Sequence, residues 1–192
     1  MAVPSIKGIL IQHPVERIQG YLDEGRVSRR ELEIQLGKEE LAFFDGEKVV
    51  PGLWYPAAMT HRLLQLIYDV EGRDEAALRE LGRETAGRLL QAPAFQSLFE
   101  AAARRGDASA GPLVLKLAEV VLNFSKWRFD GELHDFRVEV TEAEALSDYS
   151  RHTMVGLMET VGSAVAGRAV HVTSERPTPA RMVFRGKAAP PA

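Results

Sequence analysis

The sequence predicts an α+β fold: a helical layer packed on a small antiparallel sheet. Helices come first in the chain, and a strand–strand–helix–strand–strand run closes it. Two observations carry this prediction. Up to Phe124 the apolar residues recur at helical spacing, interrupted by Gly and Pro at intervals that suit ordinary helices. Beyond Ser125 the pattern alternates instead: Trp127 and Phe129 against Lys126, Arg128 and Asp130, then Phe136, Val138 and Val140 against Arg137 and Glu139.

The 192 residues make one domain with short arms. Residues 1–5 read as a loose N-terminus, 6–185 as the domain and 186–192 as a flexible tail. Ile6–Ile11 fits an edge strand that stops near Pro14. Val15, Ile18 and Leu22 follow helical spacing as far as Gly25. Ser28 is placed as an N-cap with Glu31 at the capping-box position, although Glu31–Leu36 also alternates and leaves a strand open. A helical turn over Lys38–Phe44 ends at Asp45-Gly46. Then Pro51-Gly52-Leu53-Trp54-Tyr55-Pro56 forms a hinge. Pro56 presets φ for a first helical position, and Tyr55 before it is pushed towards extended geometry.

Met59, Leu63, Leu66, Ile67 and Val70 form the stripe of the next helix, which Gly72 closes. Asp74 can cap another, with Leu78, Leu81, Thr85 and Leu89 on one face. Gly82 and Ala86 on a neighbouring line allow a close helix approach that offsets the roughly 1 kcal/mol Gly costs inside a helix. Pro93 breaks the pattern. Phe95, Leu98, Phe99 and Ala102 define a helix that ends at Gly106, and Asp107–Gly111 reads as a small-residue loop. Pro112 then starts a helix to Phe124, apolar nearly all round, which suits the centre of the core or a dimer interface. Asp130-Gly131 is expected to connect the first two strands. A helix over Asp148–Val165 carries Met154, Leu157, Met158, Val161 and Val165. Two last strands, Val170/Val172 and Met182/Phe184, flank a connector at Ser174–Ala180.

Composition narrows the function. The formal net charge is −3 and the arginines form no stripe, which argues against nucleic-acid binding. The chain has no cysteine, so disulfides, thiolate metal sites, Cys nucleophiles and Cys lipidation are excluded together. No signal-peptide h-region follows Met1, and no apolar run nears the ~20 residues of a membrane span. The expected location is the cytoplasm.

Ile6-Lys7-Gly8-Ile9-Leu10, the Pro51–Pro56 hinge, Arg62-Leu63-Leu64, Gly82-Arg83-x-x-Ala86 and the closing strand–helix–strand–strand resemble an uncharacterised bacterial family of social soil bacteria. That family is similar in layout to the heme–nitric-oxide-binding, 4-vinyl-reductase and TRAPP-subunit superfamily. The resemblance implies an α+β ligand-binding or scaffold fold, often dimeric. It carries the fold without the chemistry. The proximal His of a heme–nitric-oxide sensor has no counterpart on Pro112–Phe124, and the Tyr-x-Ser-x-Arg propionate clamp is missing, since Tyr149-Ser150-Arg151 lacks its spacing. Without cysteine, the thiolate site of 4-vinyl-reductase domains and the acylated cysteine of TRAPP subunits have no equivalent either.

Among candidate site residues, His13, His61, His134, His152 and His171 show no zinc-ligand spacing. His61 and His152 sit on helices that could bring them together, and either is the candidate for heme ligation. Gly82–Arg88 has glycines at phosphate-loop spacing but lies inside a helix and lacks the Lys-Ser/Thr ending. Gly162-Ser163 is no nucleophile elbow. The ligand- or partner-binding candidates are Trp54, Tyr55, Arg62 and Arg83. The arginines could anchor an anionic group at the mouth of an apolar pocket, or more simply bridge to Glu80, Glu84 or a helix end. Trp54 and Tyr55 could contact a ligand, or more simply seal the helical layer. The expectation is a non-enzymatic cytoplasmic signalling or regulatory module without cofactor or metal. It would form a homodimer, contact a protein partner and leave room for a small apolar ligand. The alternatives are a heme-type sensor and, behind it, an enzyme on a hydrophobic substrate.

Overall fold

The computed structural model describes residues 3–105 and 107–190, and only some side chains of the two helices around Gly106. Apart from a strand at the Pro51–Pro56 hinge, the order of elements is as predicted, helices first and then strand–strand–helix–strand–strand. Strand β1 (Ser5–Lys7) pairs antiparallel with β2 (Trp54–Pro56), placing Lys7 opposite Trp54. The Ile6–Ile11 run is therefore not one strand. At Gly8 a Cβ would overlap the Val50 carbonyl, and there the chain turns into a short 3-10 segment, Gly8–Leu10. Helices α1 (Gln12–Asp23), α2 (Arg29–Gln35) and α3 (Lys38–Ala42) follow. The Ser28–Glu31 capping box is present, and it settles α2 as helix rather than strand.

Pro56 is the N-cap of α4 (Ala57–Val70), one position before the first helical residue expected for it, because its ψ of 135° serves β2. Asp74 caps α5 (Glu75–Gln91) by accepting from the Ala76 amide. Then come α6 (Pro93–Arg105) and α7 (Asp107–Val121). The expected stop at Gly106 lies outside the described residues. The loop expected at Asp107–Gly111 is helix, and the reason is packing. Gly111 is buried against the Phe129 ring, where a Cβ would collide, so this glycine makes room and does not break the helix.

Four antiparallel strands, β3 (Lys126–Glu132), β4 (Asp135–Thr141), β5 (Val170–Thr178) and β6 (Arg181–Ala188), lie in the order β3-β4-β6-β5. Three boundaries differ from expectation. The β3–β4 turn is Leu133-His134, not Asp130-Gly131, because Leu133 is buried against Val165 and Ala166. The Ser174–Ala180 connector shrinks to Pro179-Ala180, since β5 is an edge strand and accommodates Pro177 at a register shift. Residues 186–188, expected in the flexible tail, belong to β6. Gly186 lies under the Phe136 ring, where any side chain would clash.

Helix α8 (Asp148–Ala166), capped by Ser147 and closed by Gly167 in the left-handed region, packs between α5 and the sheet. A Cβ on Gly82 would overlap the Thr153 carbonyl, and one on Gly156 the Arg79 carbonyl. The two helices thus meet backbone to backbone, the close approach that Gly82 predicts. One apolar core lies among α1, α2, α4 and the start of α5, another between α8 and the sheet. A third joins β1, α5, α6, α7 and α8, and this last one is hollow.

Candidate functional site

The hollow is an apolar chamber of about 120 Å³. Leu89 of α5 and Leu115 and Ala118 of α7 form one side. Trp127 and Phe129 of β3 form another, and Met154 and Met158 of α8 close it. Its described lining residues carry no charge, and the indole N–H of Trp127 is already donated to Ser125 Oγ at 2.8 Å. The walls follow from two periodicities: α8 repeats apolar residues at i and i+4, while β3 alternates, so both direct bulky side chains inward. A smaller chamber of about 60 Å³ lies beside it, and the two share Leu10, Leu122, Met154 and Leu157 as walls.

The structure does not bring Trp54, Tyr55, Arg62 and Arg83 together, and none of them lines the apolar chamber. Trp54 is half-exposed beneath the Lys7 ammonium, 4.2 Å from its ring centroid. The Tyr55 hydroxyl accepts the Val50 amide at 2.9 Å, and its ring meets Phe43 edge-on. Arg62 is paired with the buried carboxylate of Glu40. Arg83 donates to Glu80 at 2.7 Å and to Glu159 at 3.1 Å.

Glu159 is the residue that sequence reasoning missed. Its buried carboxylate accepts from Arg79, Arg83 and the Val172 amide, and so ties α5, α8 and β5 together. Burial alone would raise its pKa. The Arg79 hydrogen bond, the Val172 amide and Arg83 overcome that and hold the carboxyl below the usual range. The signal was present as an acid between Met158 and Val161 of the apolar stripe of α8.

His61 and His152 do meet, at one surface groove with Tyr68, Glu75 and Tyr149. The His61 ring lies 5.4 Å from that of Tyr149. Both imidazoles are shifted down, His61 by burial and then Arg62, His152 by burial and then Arg151. His13 is buried between α1 and α5, with Nδ1 at 3.0 Å from Thr85 Oγ1 and Nε2 at 3.0 Å from Glu84. Burial and then Arg88 lower its pKa against the pull of Glu84. His134 is in the β3–β4 turn and His171 on the exposed edge strand β5. No imidazole lines the apolar chamber. Among the described residues, no cluster of three or more His, Asp or Glu side chains is placed to hold a metal. Nor is any helix among them long and apolar enough to cross a membrane.

No protein-family model matches the chain, and no curated protein does. Solved structures do. The H-NOX (heme nitric oxide/oxygen binding) protein from K. algicida superposes with a TM-score of 0.66 at 12% identity, over 97% of this chain and 98% of that one. A point mutant of the T. tengcongensis H-NOX gives 0.61 at 15% identity, over 97% and 99%. The H-NOX protein from S. oneidensis gives 0.62 at 9% identity, over 96% and 100%. The chain therefore has the fold of H-NOX domains from end to end. This agrees with the superfamily that the sequence resembles.

Proposed function

We propose that this chain is a non-enzymatic, cytoplasmic module of signalling or regulation that holds a small apolar molecule in the chamber between α5, α7, α8 and the sheet. The observation that carries this reading is the chamber: apolar walls, one N–H already used, and no titratable side chain among its described lining residues. An engineered cavity of roughly 150 Å³ lined by Leu, Ile and Phe stays dry and takes benzene. A chamber of 120 Å³ suits an occupant of that order. It offers a substrate no acid, base or nucleophile, which supports binding over turnover.

Toluene tests this. It should raise the melting temperature and shift the methyl resonances of Leu115, Met154 and Met158, and Ala118→Phe should abolish both effects by putting a ring into the chamber. Unchanged spectra at saturating toluene would overturn the reading.

A second reading, a heme-type sensor, is favoured by the neighbours. The K. algicida proteins are described as Fe(II) unliganded and the S. oneidensis one as the Fe(II)NO state. The residues here do not fit that group. Heme iron takes its axial ligand from His, Cys, Met or Tyr, and the propionates take cations or N–H donors. Among its described lining residues the chamber has only the thioethers of Met154 and Met158, with no imidazole, phenol, Lys or Arg. A homodimer and a protein partner belong to the same proposal, and Val120, left exposed on α7, is the feature that supports them. Sedimentation of a monomer at tens of micromolar, the weak-affinity range, would remove the dimer.

A further inference from the structure

We infer that the occupant is not a pure hydrocarbon but a small neutral molecule with an apolar body and one hydrogen-bonding end, anchored by the hydroxyl of Thr60. This rests on the reading of the large chamber as a ligand site and deepens it. What points to the anchor is the smaller chamber of about 60 Å³, which shares the Leu10, Leu122, Met154 and Leu157 walls. Three threonines line it. Two have spent their hydroxyl protons along their own helices: Thr85 donates to the Leu81 carbonyl at 2.8 Å and Thr153 to the Tyr149 carbonyl at 3.0 Å. Thr60 has not. It is 7% exposed, and its Oγ1 has no hydrogen-bond partner.

An unpaired buried hydroxyl is costly, and native proteins seldom keep one. A group that pairs with it is therefore drawn to this point, and the geometry decides what kind of molecule brings that group. The small chamber has room for a hydroxyl or carbonyl and little more, while the large one takes a body of about one ring. The partition between them includes Met154, an unbranched and adaptable side chain that can swing aside to join the two. The class that fits is a short or aryl alcohol, aldehyde or ketone. An ion does not fit, since no described lining residue of either chamber carries a charge to pair with it.

The test compares benzyl alcohol with its isostere ethylbenzene, titrated by NMR into the full chain and into Thr60→Val and Thr60→Ser. The expected result is that Thr60→Val weakens benzyl alcohol about tenfold, the value of one net hydrogen bond, and leaves ethylbenzene unchanged. Thr60→Ser should keep the alcohol's affinity. In the unmodified protein, NOEs from the alcohol's methylene to the Thr60 methyl give a reading that needs no variant. If both probes bind and Thr60→Val weakens them equally or not at all, or if those NOEs are missing, the anchor is wrong and the apolar chamber stands. If neither probe binds, the chamber reading fails and takes the anchor with it.

Discussion

Glu159 and Arg83 share an ion pair, yet removing them should have different consequences. Glu159 is buried and takes four hydrogen bonds from three partners, so Glu159→Ala leaves Arg79 and the Val172 amide unmatched. We expect a loss of about 2–3 kcal/mol in urea unfolding, since the Arg79 left behind is partly solvated. Arg83 is 41% exposed on its side chain, so Arg83→Ala should cost no more than about 1 kcal/mol. Equal losses would contradict the central place of the carboxylate. The histidines set a pH dependence. His13, His61 and His152 all have folded pKa values below the ordinary one, so the unfolded chain takes up protons first as the pH falls. The stability they give is present above about pH 6.5 and is lost below it. The melting temperature should therefore fall between pH 7.5 and 5.5, and His13→Gln, which removes one titration, should make the fall shallower. A slope unaffected by that change would exclude His13.

At the level of elements, the α5–α8 crossing is the joint on which the chamber depends. Helix propensity alone says that Gly82→Ala or Gly156→Ala should stabilise by roughly 1 kcal/mol. The carbonyls of Thr153 and Arg79 stand where the new methyls would go, so both variants should instead lower the melting temperature and loosen the chamber. A rise in melting temperature would show that the helices can part at little cost. This joint was legible in the sequence as the Gly82/Ala86 line, and so were the Ser28 cap and the alternation of β3 and β4. What escaped was tertiary. Gly111 looks like a breaker and is a seat for Phe129, while Gly131 looks like a turn and lies within a strand because Leu133 is drawn into the core. Gly186 looks like a tail and lies under Phe136. In each case a ring or a buried side chain from a distant element decided the matter, and local spacing has no access to that. The same holds for the candidate site. The Arg83–Glu80 bridge was among the sequence expectations, but the buried carboxylates that also hold Arg62 and Arg83, Glu40 and Glu159, lie 22 and 76 residues away.

At the scale of the whole molecule, the fold matches the H-NOX domains over nearly the whole chain, while the described lining residues of the chamber include no imidazole, phenol, Lys or Arg. The chamber is small, apolar and free of imidazole. The orphan hydroxyl beside it asks for a single hydrogen bond and cannot clamp two propionates. A shared fold carries many chemistries, and the site decides among them. The most direct measurement is an absorption spectrum after the purified chain has been mixed with excess hemin, reduced, and passed through a desalting column. We predict no retained Soret band, with ethylbenzene or benzyl alcohol still binding the same sample. A stoichiometric Soret band that survives the column would contradict a heme-independent chamber.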